Sequence, residues 1–212
     1  MNKACFDSAC TRCPRLSRFL ADVRAEYPDY YAKPVPPFGD RKARLLIVGL
    51  APGMHGANAT GRPFTGDFAG ILLYRTLHRY GLASAPESRA ANDKLKLINC
   101  RITNAVKCLP PANKPTGPEI KNCNAYLQSE LAALPARAVV LALGRIAHDA
   151  VVRATGVKPR DFQFGHGAMH EFEHGGILLD SYHCSRYNTQ TRRLTEAMFA
   201  KVVAKAAKLA AR

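Results

Sequence analysis

Four short apolar runs, each followed by a polar loop and then by a stretch with helical spacing, constrain the fold of this chain more than any other feature. They cover residues 44–50, 95–104, 138–143 and 177–181. Strands that alternate with helices form a mostly parallel sheet with helices packed on both faces. The sequence therefore predicts an α/β fold with three layers, α/β/α, a four-stranded central sheet, and a last helix that runs from about residue 190 to the chain end.

The loops that follow the four runs are expected to meet at one edge of the sheet. Right-handed crossovers place the strand-to-helix connections on the same side, and open α/β sheets bind their ligands in the crevice there. The residues that end the runs are Leu50, Asn104, Leu143 and Ser181. Residues 1–40, with Pro34, Pro36 and Pro37, predict a short helix and an extended arm that belong to a single domain of residues 1–212.

The charge of the chain points to a polyanionic partner. The chain has 31 Lys and Arg against 16 Asp and Glu, a formal net charge of +15, and a polyanion relieves the self-repulsion of such an excess. The basic residues are spread out, which favours nucleic acid over an anionic membrane surface; a basic enzyme without a polyanionic partner is the alternative. No apolar stretch approaches the roughly 20 residues of a membrane helix and no secretory leader is visible, so we expect a cytoplasmic protein without a membrane partner. We also expect a monomer.

Seven cysteines in a reducing compartment favour metal ligation or simple burial over disulfides. Cys10 and Cys13 form a C-x2-C pair, and Cys108 and Cys123 flank a Pro-rich loop. Four such thiolates suit either Zn²⁺ or a [4Fe–4S] cluster, and their spacing does not choose between the two; four buried structural thiols are the alternative. The other cysteines have no evident partner, and we expect one to lie in the core and one to be a spare thiol: Cys100 and Cys5, with Cys184 unassigned.

The loop after the first apolar run, residues 49–67, is the most informative stretch of the chain. Its nineteen residues, GLAPGMHGANATGRPFTGD, include five Gly and two Pro, so its backbone takes special turns and can approach a ligand closely. It lacks both the G-K-[ST] ending of a phosphate-binding loop and the G-x-G-x-x-G spacing of a dinucleotide fold. Phe64 is available to stack on a flat ring, and Asp67 is the one carboxylate in the loop. The alternatives are that Phe64 fills the core and that Asp67 caps the next helix.

This loop resembles the first motif of the uracil-DNA glycosylase superfamily, in its family 5 (type b) iron–sulfur form. The strand LINCRITNAVKC, the four cysteines, the Gly-His-Gly loop at residues 165–167 and the loop around His183 match that family in order and spacing. The resemblance implies a DNA repair enzyme that extrudes a damaged base from the helix and hydrolyses its N-glycosidic bond. It further implies a [4Fe–4S] cluster on four thiolates: Cys10, Cys13, Cys108 and Cys123.

The resemblance also implies a role for each site residue. Phe64 stacks on the extruded base, and Asn104 reads its edge with an amide that offers both a donor and an acceptor. Ala51 stands where other branches carry the residue that positions the water, so Asp67 takes that role, and His183 stabilises the departing base. The backbone that faces the sugar and base is Gly49, Leu50 and Ala51.

One position departs from the family pattern. The family reads His-Pro-Ser where this chain has His183, Cys184 and Ser185, and the loss of the ring that fixes φ predicts a more mobile loop. The residues expected to contact DNA phosphate or the minor groove are Ser185, Arg186, Tyr187 and Asn188. We expect double- and single-stranded DNA with deaminated bases as the partner, and no lyase activity because no Lys is suitably placed. The alternatives are a non-catalytic iron–sulfur DNA-binding or sensor protein and a nucleotide-processing enzyme, the latter disfavoured by the missing phosphate loop.

Overall fold

All four apolar runs contribute parallel strands to one sheet. The computed structural model describes residues 6–173 and 175–211. In chain order the strands are β1 (Phe38–Gly39), β2 (Leu45–Gly49), β3 (Cys100–Asn104), β4 (Val139–Leu143), β5 (Met169–Glu171) and β6 (Ile177–Ser181). The order across the sheet is β1-β3-β2-β4-β6-β5, and the four inner strands pair in parallel. The parallel centre expected from the sequence is therefore present.

The prediction of four strands was wrong in number, because two edge strands complete the sheet. Strands β1 and β5 pair antiparallel with β3 and β6. They are two and three residues long, too short to produce a hydrophobic period that sequence analysis can detect.

The second strand is also shorter than predicted. It covers Cys100–Asn104 rather than residues 95–104. The residues before it pair with the segment of residues 82–84 instead. The Ser84 amide donates to the Lys96 carbonyl at 2.9 Å, and the Ile98 amide donates to the Leu82 carbonyl at 2.9 Å. Their backbone is thus satisfied outside the sheet.

The described residues form seven α-helices, of which the first precedes the sheet and the others connect or follow the strands. They are α1 (Pro14–Glu26), α2 (Ala57–Thr60), α3 (Phe68–Arg79), α4 (Gly117–Ala132), α5 (Arg145–Thr155), α6 (Arg186–Gln190) and α7 (Glu196–Ala210), with short 3-10 turns at Pro111–Asn113 and Pro159–Asp161. Across residues 6–173 and 175–211, none of the helices combines the length and the apolarity that crossing a bilayer requires.

The last helix starts later than the sequence predicts. It begins at Glu196 rather than near residue 190, and α6 precedes it as a separate helix. Arg192 has φ +57°, a left-handed conformation that interrupts a helix. The Thr195 hydroxyl then caps α7 by accepting from the Met198 amide at 3.2 Å.

Alternate residues of the inner strands face opposite helix layers, as the period of two in a strand requires. Leu45 and Ile47 join the core cluster that contains α3 and α7. Leu46 and Val48 join the cluster that contains α4 and α5. These two layers of packed side chains give the three-layer α/β/α arrangement that the sequence predicts. Cys100 is fully buried in the first layer, as expected, and Cys5 lies outside the described residues.

The N-terminal arm packs beside the sheet through a third apolar cluster, which includes Leu16, Leu20 and Val23 of α1. The guanidinium of Arg15 donates twice to the carboxylate of Glu119 on α4, at 2.8 Å each. The arm is therefore held by apolar packing and by an ion pair to the helix that also carries Cys123.

Substitution of Gly70 on α3 can test how closely the first loop packs on this helix. A Cβ at Gly70 would overlap the carbonyl oxygen of Phe64, whereas a Cβ at Gly117, the first residue of α4, would meet no atom within 4 Å. We expect Gly70→Ala to lower the free energy of unfolding by about 1–3 kcal/mol and Gly117→Ala to leave it unchanged or slightly higher. Urea titration measures both, and equal midpoints for the two variants would contradict the packing described.

Candidate active site

A cavity of about 420 Å³ lies at the carboxyl edge of the parallel strands, where the loops after β2, β3 and β6 meet. Its lining combines backbone, apolar and polar groups from these loops. The lining residues that the sequence analysis singled out are Leu50, Ala51, Phe64, Asp67, Asn104, His183, Ser185 and Arg186. The crevice therefore lies at the edge where connectivity predicts it.

Gly49, Phe64 and Asn104 pack against one another in this crevice. The sheet register sets Gly49 opposite Asn104. A Cβ at Gly49 would lie 2.5 Å from the side-chain oxygen of Asn104 and 2.6 Å from the ring of Phe64, so this position requires glycine. Phe64 has φ +54°, a costly conformation for a bulky residue, and its ring is buried. The Asn104 Oδ1 atom is buried without a hydrogen-bond partner.

Asp67 combines the two roles that the sequence left open. Its Oδ1 accepts a hydrogen bond from the Gly70 amide at 2.7 Å and thereby caps α3. Its Oδ2 faces Gly53 and Gly56, since a Cβ on these glycines would lie 3.7 and 2.8 Å from it. Burial raises the pKa of Asp67 above its ordinary value, against the two backbone hydrogen bonds that lower it. The carboxylate is thus anchored through one oxygen and lines the cavity.

His183 lines the same cavity as the cap residue of α3. Its ring stacks on that of Phe64, with centroids 5.9 Å apart and planes inclined by 27°. The Asn188 amide donates to the His183 carbonyl at 2.8 Å, and a Cβ at Gly144 would lie 3.4 Å from the His183 Cβ. Burial lowers the pKa of His183 to about 4. The imidazole is therefore neutral near pH 7, with one donor and one acceptor nitrogen.

The residues after His183 lie partly in the cavity and partly on the surface. Cys184 is fully buried and its thiol donates to the Ala69 carbonyl at 3.5 Å, so this loop is held against α3. Ser185 caps α6, and the guanidinium of Arg186 lies 5.2 Å from the centre of the Phe68 ring. Tyr187 is 70% exposed. These positions give the loop one buried anchor and an outward polar face.

A second cavity, of about 360 Å³, adjoins the first and shares Leu50 and His183 with it. Sequence analysis did not select its basic residues, Arg145 and Arg193. Arg145 packs on the Phe164 ring at 5.1 Å and Arg193 on the Tyr182 ring at 4.8 Å. The sequence signal that could have selected Arg145 is its position after the third apolar run, two residues beyond Leu143.

The four cysteines of the candidate metal centre line a separate cavity between the arm and α4. Cys13 is the cap residue of α1 and Cys123 lies on α4. The Lys107 amide donates to the Cys123 sulfur at 3.3 Å. Burial, together with the neighbouring thiols, raises the pKa of Cys108 to about 12. The topology thus brings two cysteines near position 10 together with two cysteines beyond position 100.

The chemistry of this donor set fits both groups that the sequence left open, since four thiolates suit either Zn²⁺ or a [4Fe–4S] cluster. Three other side chains could hold a metal ion: the ligand atoms of His148, His170 and Asp180 lie within 4.8 Å of one another.

That histidine–aspartate trio is a second feature that sequence analysis missed. The His148 Nδ1 atom lies 2.9 Å from the Asp180 Oδ1 atom, and His148 Nε2 lies 2.9 Å from the Phe162 carbonyl oxygen. Although burial opposes it, the hydrogen bond to Asp180 raises the pKa of His148. The pair is buried and ties α5 to β6, the strand that leads to His183.

Comparison with known proteins assigns this arrangement to a family. The model of the uracil DNA glycosylase superfamily matches residues 36–207. The chain belongs to this superfamily. It is 48% identical over 210 residues to a Type-5 uracil-DNA glycosylase of Thermus thermophilus, which covers 96% of this chain and 94% of that protein. It is 43% identical over 202 residues to a Type-5 uracil-DNA glycosylase of Pyrobaculum aerophilum, with 93% and 88% covered.

The crystal structure of Pedobacter heparinus SMUG2 is similar in fold. The TM-score is 0.50 at 14% sequence identity, with 90% of this chain and 83% of that chain covered. At so low an identity the likeness concerns the fold alone. The α/β fold predicted from alternating strands and helices, and the family resemblance carried by the first loop, are both confirmed.

The two roles of Asp67 can be separated by stability measurements. Because the folded chain binds a proton at this carboxyl more tightly than the unfolded chain does, the ionised form costs stability at every pH above the unfolded pKa. We expect Asp67→Asn, which keeps the capping oxygen, to equal or exceed the wild type in free energy of unfolding at pH 7. Asp67→Ala, which loses the cap, should be about 1 kcal/mol less stable than Asp67→Asn.

Urea titrations at pH 7 and pH 4 measure both effects. The advantage of Asp67→Asn over the wild type should shrink at the lower pH, where the wild-type carboxyl becomes protonated. A wild type that is more stable than Asp67→Asn at pH 7 would show that the ionised form is favoured by folding.

Proposed function

We propose that the protein is a monofunctional DNA glycosylase that hydrolyses the N-glycosidic bond of uracil, and of deaminated purines such as hypoxanthine and xanthine, to leave an abasic site. The superfamily match and the Type-5 uracil-DNA glycosylases that are 43% and 48% identical to this chain support a uracil-DNA glycosylase; the base range and the course of the reaction are the proposal. The observation that carries it is the shared cavity of Asp67, Phe64, Asn104 and His183. We further propose that it acts as a monomer in the cytoplasm, on double- and single-stranded DNA.

The carboxylate of Asp67 in the cavity favours an enzyme over a protein that only binds DNA. The partly buried carboxylate of Asp67 repels the polyanion that a net charge of +15 attracts, and its raised pKa indicates that the ionised form is disfavoured here. A protein that only binds DNA could cap α3 with an uncharged Ser, Thr or Asn instead. A hydrolase needs an acceptor for the proton of water and a negative charge beside a sugar that becomes positive in the transition state.

The proposed base site uses stacking and one amide. The Phe64 ring supplies a flat apolar surface, a contact worth roughly 1–3 kcal/mol in nucleic-acid sites. The Asn104 amide, whose Oδ1 is buried and unpartnered, offers an acceptor and a donor to the base edge. Uracil and hypoxanthine both present a ring N–H beside a carbonyl oxygen, so one amide suits both.

In the proposed reaction the bond between C1′ of the sugar and the base nitrogen breaks, and a bond between C1′ and the oxygen of water forms. Asp67 orients the water and accepts its proton. The electron pair of the broken bond leaves with the base, and neutral His183 stabilises the resulting anion through its N–H. No lysine lines the cavity among the described residues, which agrees with hydrolysis and not with a Schiff-base lyase.

Cys10, Cys13, Cys108 and Cys123 are proposed to hold a [4Fe–4S] cluster. When bound, the cluster would cross-link the arm to the body of the protein, and hydrolysis requires no electron transfer from it. The amide of Lys107 would stabilise the thiolate of Cys123 through the hydrogen bond it already makes to that sulfur.

The proposed DNA surface surrounds the mouth of both cavities. Ser185, Arg186, Tyr187 and Asn188 follow His183, and Arg145 and Arg193 line the second cavity. Arginines supported on aromatic rings suit phosphate contacts because their guanidinium groups are already oriented.

Excision is tested with oligonucleotides that carry one uracil, hypoxanthine or xanthine. We expect alkali-labile sites at uracil, and single-turnover rates lower by about 10²–10⁴ in Asp67→Asn and His183→Ala. The controls Asp22→Asn and His78→Ala change exposed groups outside the cavity and should keep the wild-type rate. Binding of uracil-containing DNA without any cleavable product would favour the non-catalytic DNA-binding protein.

The metal centre is tested by analysis of the purified protein for iron, sulfide and zinc. We expect about four irons and four sulfides per chain, and loss of both in Cys108→Ala. The control Cys100→Ala changes a thiol that is buried in the core away from this cavity and should retain the iron. One zinc per chain, or no metal, would overturn the cluster proposal.

A further inference from the structure

We propose that Lys107 is a positioning residue that holds Asn104 in place and thereby controls base recognition; this inference rests on the proposed function. Lys107 is 1% exposed, and lysines are rarely so buried. Its ammonium donates to the Thr103 hydroxyl, to the Asn104 carbonyl at 3.0 Å and to the Glu130 carboxylate at 2.7 Å. An ammonium has three donors, and these contacts use all of them.

The end of β3 needs a hydrogen-bond donor on its outer side because β1, the edge strand that pairs with it, begins only at Phe38. Strand β1 pairs with β3 at Phe38 opposite Ile102. Continuing this register would set Pro37 and Pro36 opposite Thr103 and Asn104, and proline has no N–H to donate. The ammonium of Lys107 supplies the donor that the missing strand cannot.

The main chain of Asn104 determines where its amide lies in the cavity. On the β2 side it is opposite Gly49, and the next residue, Ala105, donates to the Gly49 carbonyl at 2.9 Å. The Oδ1 atom has no partner that would orient the side chain. The arm contacts this segment again at Lys107, whose carbonyl accepts from the Val35 amide at 2.7 Å. At Asn104 itself the contact on the β1 side comes from the Lys107 ammonium, and without it the Asn104 amide could shift away from the base.

Stability alone does not account for a buried ion pair of this kind. Replacing such a pair with uncharged groups of similar volume is often neutral or stabilising, whereas removing one partner leaves the other charge uncompensated. Glu130 is largely buried and its Oε2 has no partner. A variant that changes both residues therefore separates positioning from stability.

The decisive variant is Lys107→Met with Glu130→Gln, which removes the donor and avoids a lone buried charge. We expect a thermal midpoint near that of the wild type and single-turnover excision of uracil slower by roughly 10- to 100-fold, the range for a misplaced contact group. The control Arg15→Met breaks the ion pair with Glu119, which lies outside the cavity, and should keep the wild-type rate. A double variant with the wild-type rate would overturn the proposal.

A double-mutant cycle with Asn104→Ala tests whether Lys107 acts through Asn104. In the Asn104→Ala background, the Lys107 and Glu130 changes should cause no further loss of rate, and the ratio of uracil to hypoxanthine excision should no longer respond to them. A full additional loss would show a general structural role and overturn the proposal. Thr103→Val, which removes one acceptor and no charge, is a gentler variant for which we expect a smaller loss that also disappears without Asn104.

The failure of this inference is distinguishable from the failure of the proposed function. A wild type that excises no base from any DNA refutes the function. An active wild type whose rate and base preference do not depend on Lys107 refutes only the positioning role.

Discussion

The parallel pairing of β2 with β3 supports every part of the candidate site. It sets Gly49 against Asn104 at the strand ends, and the absence of a side chain at Gly49 leaves room for the Asn104 amide and the Phe64 ring. The left-handed backbone at Phe64 and the glycine at position 70 then let the first loop fold onto α3. Asp67 caps that helix, so the same packing that closes the core also places a carboxylate in the cavity.

Burial acts on the two proposed catalytic groups in opposite directions. It raises the pKa of Asp67 and lowers that of His183 to about 4, because desolvation disfavours whichever form is charged. The result is a basic carboxylate and a neutral imidazole in one cavity. Both shifts favour the uncharged form, so the pKa values of the two groups move towards each other.

The packed core and the candidate site differ in how strictly they constrain the amino-acid sequence. A protein with 14% identity has a similar fold, because any apolar residues of suitable size can form the layers on either side of the sheet. The loops at the strand ends have specific tasks, and they carry the motif that identifies the family. Function is thus determined by a small part of the chain on a tolerant scaffold.

Much of the fold and most of the candidate site could be predicted from the sequence. The four inner strands have strong apolar patterns, and the first loop is long and distinctive, so the sequence alone selects Phe64 and Asp67. Connectivity also predicted that the loops after Leu50, Asn104 and Ser181 meet. The edge strands β1 and β5 were missed because two or three residues carry no measurable period.

Only the tertiary structure decided which polar groups meet inside the protein. Lys107 contacts Glu130 from 23 positions away, and His148 contacts Asp180 from 32 positions away; nothing in the local sequence marks either pair. Likewise, the fold brings Cys10, Cys13, Cys108 and Cys123 to one cavity. The physical reason is the same in each case: patterns along the chain report which face a residue occupies, whereas the partner of a buried charge or thiol is set by how distant segments pack.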